Sequence, residues 1–428
     1  MTPRFPTDQV YRYLPPMEID QLKNDTQCDV VIVGGGMAGI CAAQKFKEKG
    51  CSVILIEKSF CGAGATGKSS GFITPDSEIP LHALIERFGK EKAKSMWEFV
   101  QTGVDTIKNN IETHNIDCDY RIEDTLVLAS SSKDFETMVK AEHEARLSCG
   151  YDSTLYEQDQ LTRVTNAQGF YGAVHYGKSF GIDGFRYAQG QKKVLQDAGI
   201  RIYEETPAIK LEPNRVITPY GAIKATYVVL CTDRFMPELD KLTYDIFPLQ
   251  TFLMISAPLT DTEVKNIFTQ APMMAWDTAL IYTYWRMTGD NRLMLGGSTL
   301  LGTYAGYAQH DNVGGYNRLA DYFKKRFPGV KTQFDYMWPG LIGVSKDILP
   351  LAGRDAHDDS LYYVGACAGL PWAAALGRYA ADALIDGRSD HDDCFSPYRS
   401  FKFGKTVQTI LGNRLTFALS HVTTLNSF

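Results

Sequence analysis

Residues 29–58 read DVVIVGGGMAGICAAQKFKEKGCSVILIEK. The run 30–33 is short and wholly apolar, the pattern of a parallel strand buried on both faces. Gly34, Gly36 and Gly39 follow in GxGxxG spacing. The spacing predicts a helix over 37–49, with Ile40, Ala43 and Phe46 inward and the charged residues outward. Gly50 closes it, and a second apolar run, 53–56, ends in Glu57. Each glycine has its own task in such a unit. Gly34 allows the tight turn, Gly36 lets a pyrophosphate reach the backbone, and Gly39 lets the helix lie close to the strand. The helix start offers N–H groups and partial positive charge to phosphate oxygens. Glu57 stands about 18 residues beyond Gly39, where a carboxylate accepts hydrogen bonds from a ribose. A tight βα turn without a ligand is the plainer reading, but it asks for neither three glycines in this order nor the acid. The stretch points to a dinucleotide and leaves open which one.

Composition narrows the rest. The chain has 428 residues, 44% hydrophobic and 22% charged, enough for two soluble domains. A net charge of −6 carries no basic footprint for nucleic acid. The N-terminal residues have no apolar core of a signal peptide. No stretch approaches the roughly 18 apolar residues of a membrane span. Nine cysteines, an odd number without a CxxC, read mostly as buried thiols in a reducing cytoplasm. The eight histidines show no metal-ligand spacing, so no metal is expected.

Further along, residues 1–27 read as an extended arm that docks through Tyr11, Tyr13 and Leu14. After Glu57 comes a second glycine-rich loop, 59–72, rich in N–H groups and small hydroxyls. A long amphipathic helix is expected over 90–114 and another over 185–198. The run 227–231 reads as a return to the parallel sheet after a small β-meander. From 251 the pattern changes to aromatic and β-branched strands, 251–257, 280–286 and 292–297, joined by turns: an antiparallel sheet and a second domain. Glycine-rich sequence returns at 338–355. A strand at 361–364 and a Gly-Ala turn then lead to a helix with Pro371 at its first turn. The tail holds Ile410, Leu411, Leu415, Phe417 and Leu419. We expect it to dock as a helix rather than lie on a membrane, because its basic face is thin.

These motifs together resemble the D-amino-acid oxidase (DAO) superfamily of FAD-dependent oxidoreductases. The resemblance runs over roughly 28–399. It rests on GGGMAG with Glu57, GATGKSSGF (64–72), AIKATYVVLCTD (222–233), RLMLGG (292–297), the WPG…LPLAGR segment (338–354) and GACAGLPW (365–372). Within the superfamily the chain is most similar to the gamma-glutamylputrescine oxidoreductase group and the glycine/sarcosine oxidase group. The resemblance implies an α/β, two-domain fold: a Rossmann-like FAD-binding domain on a parallel sheet, plus a substrate domain with a mainly antiparallel sheet. The FAD domain is expected from 28–115, 175–240 and 339–398. The substrate domain is expected from 116–174 and 241–338, with 399–428 as a tail.

By motif position, the resemblance places Gly34, Gly36, Met37, Ala38 and Gly39 at the pyrophosphate, and Glu57 with neighbouring Lys58 at the adenosine end. Ala65, Thr66, Ser69, Ser70, Gly71 and Phe72 run toward the flavin ring. Ala208 presents its backbone to adenine, and Cys231 and Thr232 line a strand end. Gly340, Gly369, Leu370, Pro371 and Trp372 surround the pyrimidine edge of the ring. Non-covalent FAD is implied, because Lys68 stands where covalently linked relatives carry a histidine and no cysteine lies between Cys231 and Cys367. The implied reaction is oxidation of a C–N bond to an imine, which water then hydrolyses, with oxygen or another compound as electron acceptor.

No general base is identifiable. The expected substrate pocket is the antiparallel sheet: Trp276, Tyr282, Tyr284 and Arg286, with Trp285 on the opposite face by strand alternation. Core packing is the alternative role for the aromatics. For Arg286 it is a structural ion pair, with Asp277 the candidate partner. Leu341 and Ile342 stand where many alpha-amino-acid oxidases carry a carboxylate-binding arginine, so an amine or N-substituted amino compound is the expected substrate. An alpha-amino acid, or a flavin-binding protein with a structural role, remain alternatives.

Overall fold

The computed structural model of the protein describes residues 19–76, 79–297, 313–367 and 369–425. Tyr11, Tyr13 and Leu14 of the expected arm lie outside the described residues.

Two eight-stranded sheets carry the chain. The first centres on Thr26–Val33, paired in parallel with Val53–Ile56 and with Gly221–Leu230. Arg201–Tyr203 and Leu361–Gly365 extend it in parallel on either side. Both faces are covered, which is why 30–33 and 53–56 are apolar without alternation. The helices Met37–Glu48 and Leu370–Ile385 cross so closely that a Cβ on Gly377 would sit 2.2 Å from the Ala38 carbonyl oxygen. Lys90–His114 packs behind them, its Gly103 against the Pro371 carbonyl. The meander is present, but its last strand is continuous. The first half of Gly221–Leu230 pairs antiparallel with Arg215–Thr218 and the second half in parallel with Leu361–Gly365. All five parallel strands end at one rim, so Gly34, Glu57, Glu204, Cys231 and Ala366 all follow strand ends there. That rim is where open α/β sheets bind ligands.

The second sheet runs, edge to edge, Phe334–Val344, Phe247–Ser256, Leu293–Gly297, Tyr284–Met287, Met274–Asp277, Thr125–Leu128, Gly172–Tyr176 and Thr154–Glu157. Every pairing is antiparallel except that of Met274–Asp277 with Thr125–Leu128. One face, with Met254, Ala275, Trp285, Leu295 and Met337, packs beneath the helix Val313–Arg326 in a second core.

Three expectations change. The strand expected over 280–286 begins only at Tyr284. Asp277 accepts the N–H groups of Ala279 and Thr283 and folds the intervening residues into a turn. The glycine-rich 338–344 belongs to the strand Phe334–Val344, so the expected domain boundary at 338/339 cuts it. Pro339 is tolerated because this is an edge strand, paired among the described residues only with Phe247–Ser256. The tail forms two helices, Lys405–Leu411 and Asn413–Leu425. Phe417 docks on Phe247, but Ile410, Leu411, Leu415 and Leu419 are exposed.

Candidate functional site

The glycines at the rim of the first sheet fall into two kinds. A Cβ on Gly39 would lie 1.9 Å from the Gly34 carbonyl oxygen, and one on Gly34 2.5 Å from that of Cys231. These positions are glycine because protein backbone fills the space, and Gly34 also has a φ of +113°. Gly36, Gly340 and Gly369 differ. Their missing side chains would meet nothing nearer than 3.3, 3.6 and 3.9 Å. Close packing by backbone does not explain Gly36 and Gly340, whereas a ligand lying against bare backbone does; Gly369 has a φ of +119°, which favours glycine by itself. Beside them the Thr232 hydroxyl is buried with no hydrogen-bond partner among the described residues. Open backbone at the starts of two helices plus an orphaned hydroxyl fits an extended dinucleotide such as FAD.

Glu57 shapes the turn. It accepts the Gly35 N–H at 2.8 Å and the Ser59 N–H at 3.0 Å. Burial pushes its carboxyl up, against the lowering pull of these two bonds. Lys58 turns away, its Nζ over the Phe235 ring. Ala208 lies half-buried just after Thr206, whose N–H reaches the Glu57 carbonyl. The loop 59–72 is fastened to the same rim. Met37 N–H donates to Thr66 Oγ1 at 2.9 Å and Gly62 N–H to the Gly35 carbonyl. Within the loop, Ala65–Lys68 makes one helical turn, and Ser69 Oγ donates to the Thr66 carbonyl.

The loop then meets the second sheet. Trp338 Nε1 donates to the Lys68 carbonyl at 3.0 Å, and Arg286 Nε to the Ser70 carbonyl at 2.6 Å. Strand register sets Val127, Trp276, Tyr284, Gly296, Leu253 and Trp338 in one row across six strands, on the face toward this loop. Gly296 in that row has no side chain because the Tyr284 ring lies across it. Phe72, at the end of the loop, packs 5.8 Å from Tyr284 and 6.1 Å from Trp276, and Tyr282 sits 5.8 Å from Tyr284. These four rings are each half-buried. The structure thus brings Trp276, Tyr282 and Tyr284 together and adds Phe72, which joins them from the loop 59–72. A cavity of about 20 Å³ between the loop and Arg286, Met294 and Trp338 has room for about one water, so the loop is seated tightly.

Arg286 is 1% exposed and engages three carbonyls: Ser70, Ile182 and Met287. Its acidic neighbour is Glu123, at 3.9 Å, and not Asp277, which accepts from Tyr322 instead. Arg286 is on the expected face, but it holds the loop to the sheet and has no surface for a substrate. Burial pushes the Glu123 carboxyl up to about 7, despite Arg286 and Arg121 nearby. Trp372 also departs from expectation. Its ring is buried between Phe99 and Phe395, so only its backbone faces the rim. Leu370 packs with Met37 and Ile73, joining the two helix starts.

Two residues at the rim went unread in the sequence. Asp233 accepts the N–H groups of Gly343 and Ala366, tying the edge strand to the Gly369 turn. Glu204 accepts the Cys61 N–H and pairs with buried Lys192 at 2.6 Å. Glu204 directly follows a parallel strand, as Glu57 does, and Asp233 stands three residues past the end of Gly221–Leu230; acids at strand ends were the available signal.

Comparison with known proteins agrees with this geometry. The family described as FAD dependent oxidoreductase (DAO) matches residues 29–383. The chain is 24% identical over 418 residues to the probable oxidoreductase OrdL of Haemophilus influenzae, covering 95% of this chain and 91% of the relative. It is 25% identical over 410 residues to the gamma-glutamylputrescine oxidoreductase of Escherichia coli, covering 93% and 92%. Among solved structures, L-proline dehydrogenase from P. horikoshii shares the fold with a TM-score of 0.74 at 18% identity, over 89% of this chain and 98% of that one. The chain belongs to the DAO family of FAD-dependent oxidoreductases, and FAD is its cofactor.

Proposed function

We propose that the protein oxidises the C–N bond of an amine, or of an N-substituted amino compound, to an imine that water hydrolyses. The observation that carries this reading is the aromatic cluster: the half-buried rings of Phe72, Trp276, Tyr282 and Tyr284 gather beside the loop 59–72. Ring faces attract alkylammonium groups and exclude water from the carbon to be oxidised. Arg286, the cation on that sheet face, is held by backbone carbonyls. A carboxylate would therefore lack the bidentate partner that alpha-amino acids favour. The name of the Escherichia coli relative, a gamma-glutamylputrescine oxidoreductase, points the same way.

In this reading Gly34, Gly36, Met37, Ala38 and Gly39 hold the pyrophosphate of FAD and Glu57 its ribose. Thr66, Ser69, Ser70, Gly71 and Phe72 lead toward the ring, and Gly340, Gly369 and Pro371 flank it. Bound there without a covalent link, FAD supplies the two-electron acceptor. The chain's part is to orient the amine against the cluster. The test is an anaerobic panel of diamines, gamma-glutamyl amines, N-methyl amino acids and D-amino acids, followed by bleaching of the flavin's visible absorption. Rapid bleaching by amines supports the reading. Faster bleaching by glycine or D-alanine would overturn it.

A further inference from the structure

The last two helices are turned inside out. A surface helix normally buries its apolar stripe. In Asn413–Leu425 the residues facing the body are Thr416, Phe417, Ser420 and His421, while Leu415 and Leu419 face out. In Lys405–Leu411, Gln408 is buried, whereas Val407, Ile410 and Leu411 are exposed, Ile410 by 78%. Phe417 fixes this orientation by stacking on Phe247, with centroids 4.7 Å apart and planes 9° from parallel. The orientation is unfavourable for the isolated chain. The hydroxyls of Thr416 and Ser420 are buried without hydrogen-bond partners among the described residues. The outward leucines meanwhile form an apolar patch in water. The second cost is removed where the outer surroundings are themselves apolar.

Charge indicates what those surroundings are. Residues 399–428 contain Arg399, Lys402, Lys405 and Arg414 and no Asp or Glu, in a chain whose net charge is −6. Lys402, Lys405 and Arg414 are exposed beside the apolar residues. Asp245, on the body beneath, has three cations around it: Lys346, Lys405 and Arg399. A second copy meeting this face about a two-fold axis would set like charges against each other, with no acid in the segment to pair them. Neither helix approaches the roughly 20 residues of a span, so this is a surface and not a crossing.

We propose that this face docks the enzyme on an anionic lipid surface, which reverses the expectation from sequence because the apolar residues that were to bury the tail face outward. Val407, Ile410, Leu411, Leu415 and Leu419 enter the headgroup boundary, and Lys402, Lys405 and Arg414 meet lipid phosphates. The docking does not depend on which substrate the active site takes.

The test is co-sedimentation of the FAD-loaded full chain with phosphatidylglycerol-containing vesicles and with pure phosphatidylcholine vesicles, at low and high salt. The expected result is binding to the anionic vesicles that falls steeply with salt. The double variant Ile410→Asp/Leu415→Asp should weaken it by about tenfold or more, with flavin content and amine turnover in solution unchanged. Lys402→Glu/Lys405→Glu should lose the salt-dependent part. Three results would overturn the proposal: no sedimentation with anionic vesicles, equal binding to neutral ones, or a dimer by light scattering that Ile410→Asp/Leu415→Asp splits while vesicles bind nothing.

Discussion

The rim around Gly34–Glu57 and the face around Trp276–Trp338 meet at the same loop, yet they are made of different things. The rim is backbone. Its positions are fixed by carbonyls standing where side chains would be, as at Gly39 and Gly34. The face is side chains, set in a row by strand register and fastened by one buried cation, Arg286. Backbone sites bind what every member of a family binds, since N–H groups and helix starts are indifferent to side-chain identity. Side-chain sites differ from one chain to the next, so specificity belongs on the sheet.

That contrast can be broken at its joint first. Arg286→Met removes the cation from three carbonyls and from Glu123. It should destabilise the protein by about 3–5 kcal/mol in urea unfolding, because three carbonyls lose charge-assisted hydrogen bonds and are left buried. A loss below about 1 kcal/mol would mean that the loop holds to the sheet without it.

Glu123 gives the next effect, through pH. Its folded-state pKa of about 7 lies above the ordinary 4.5 because burial outweighs Arg286. Between these values the folded chain keeps a proton that the unfolded chain has released. The contribution is therefore full below pH 4.5 and is lost as pH rises through about 7. The difference in unfolding free energy between wild type and Glu123→Gln should shift against wild type by up to about 3 kcal/mol from pH 4.5 to pH 8. A flat difference would place the carboxyl in the ordinary range.

The two kinds of glycine separate at a smaller scale. Gly39→Ala forces a Cβ onto a backbone oxygen and should destabilise the protein by about 1–3 kcal/mol. Gly36→Ala meets only Thr66 Oγ1 at 3.3 Å, so it should leave the unfolding midpoint of the flavin-free protein within about 0.5 kcal/mol while sharply reducing flavin retention. Equal loss of stability in both would erase the distinction. The remaining effect is on substrate affinity at the sheet face. Tyr284→Leu should raise KM for a good amine substrate by about 5–30-fold, the equivalent of about 1–2 kcal/mol of ring-face attraction, with flavin content intact.

The βαβ unit, the helices Lys90–His114 and Leu370–Ile385, and the alternation of Tyr284, Trp285 and Arg286 were all legible in the chain. Each is a local pattern, because a strand, a cap or a helical stripe is specified by residues a few positions apart. The edge strand Phe334–Val344 was not legible, since Pro339 and its glycines look like loop until the strand is known to have one free side. The partner of Arg286 was missed for a related reason. Asp277 is near in sequence, whereas Glu123 is brought in through the small sheet that pairs Arg121–Ile122 with Phe180–Gly181.

By itself, then, the sequence determined the dinucleotide-type βαβ unit, the two-sheet plan and the aromatic content of the second sheet. Tertiary structure decided which glycines are filled by backbone and which are left open, and it put Phe72 among the rings of a distant strand. It also made Arg286 a clamp on the loop and turned the tail's leucines outward. The physical reason is one of range. Periodicity and glycine spacing act within a turn or a strand, but the Cys231 carbonyl beside Gly34, and the Ser70 and Ile182 carbonyls that accept from Arg286, come from residues a hundred or more positions away.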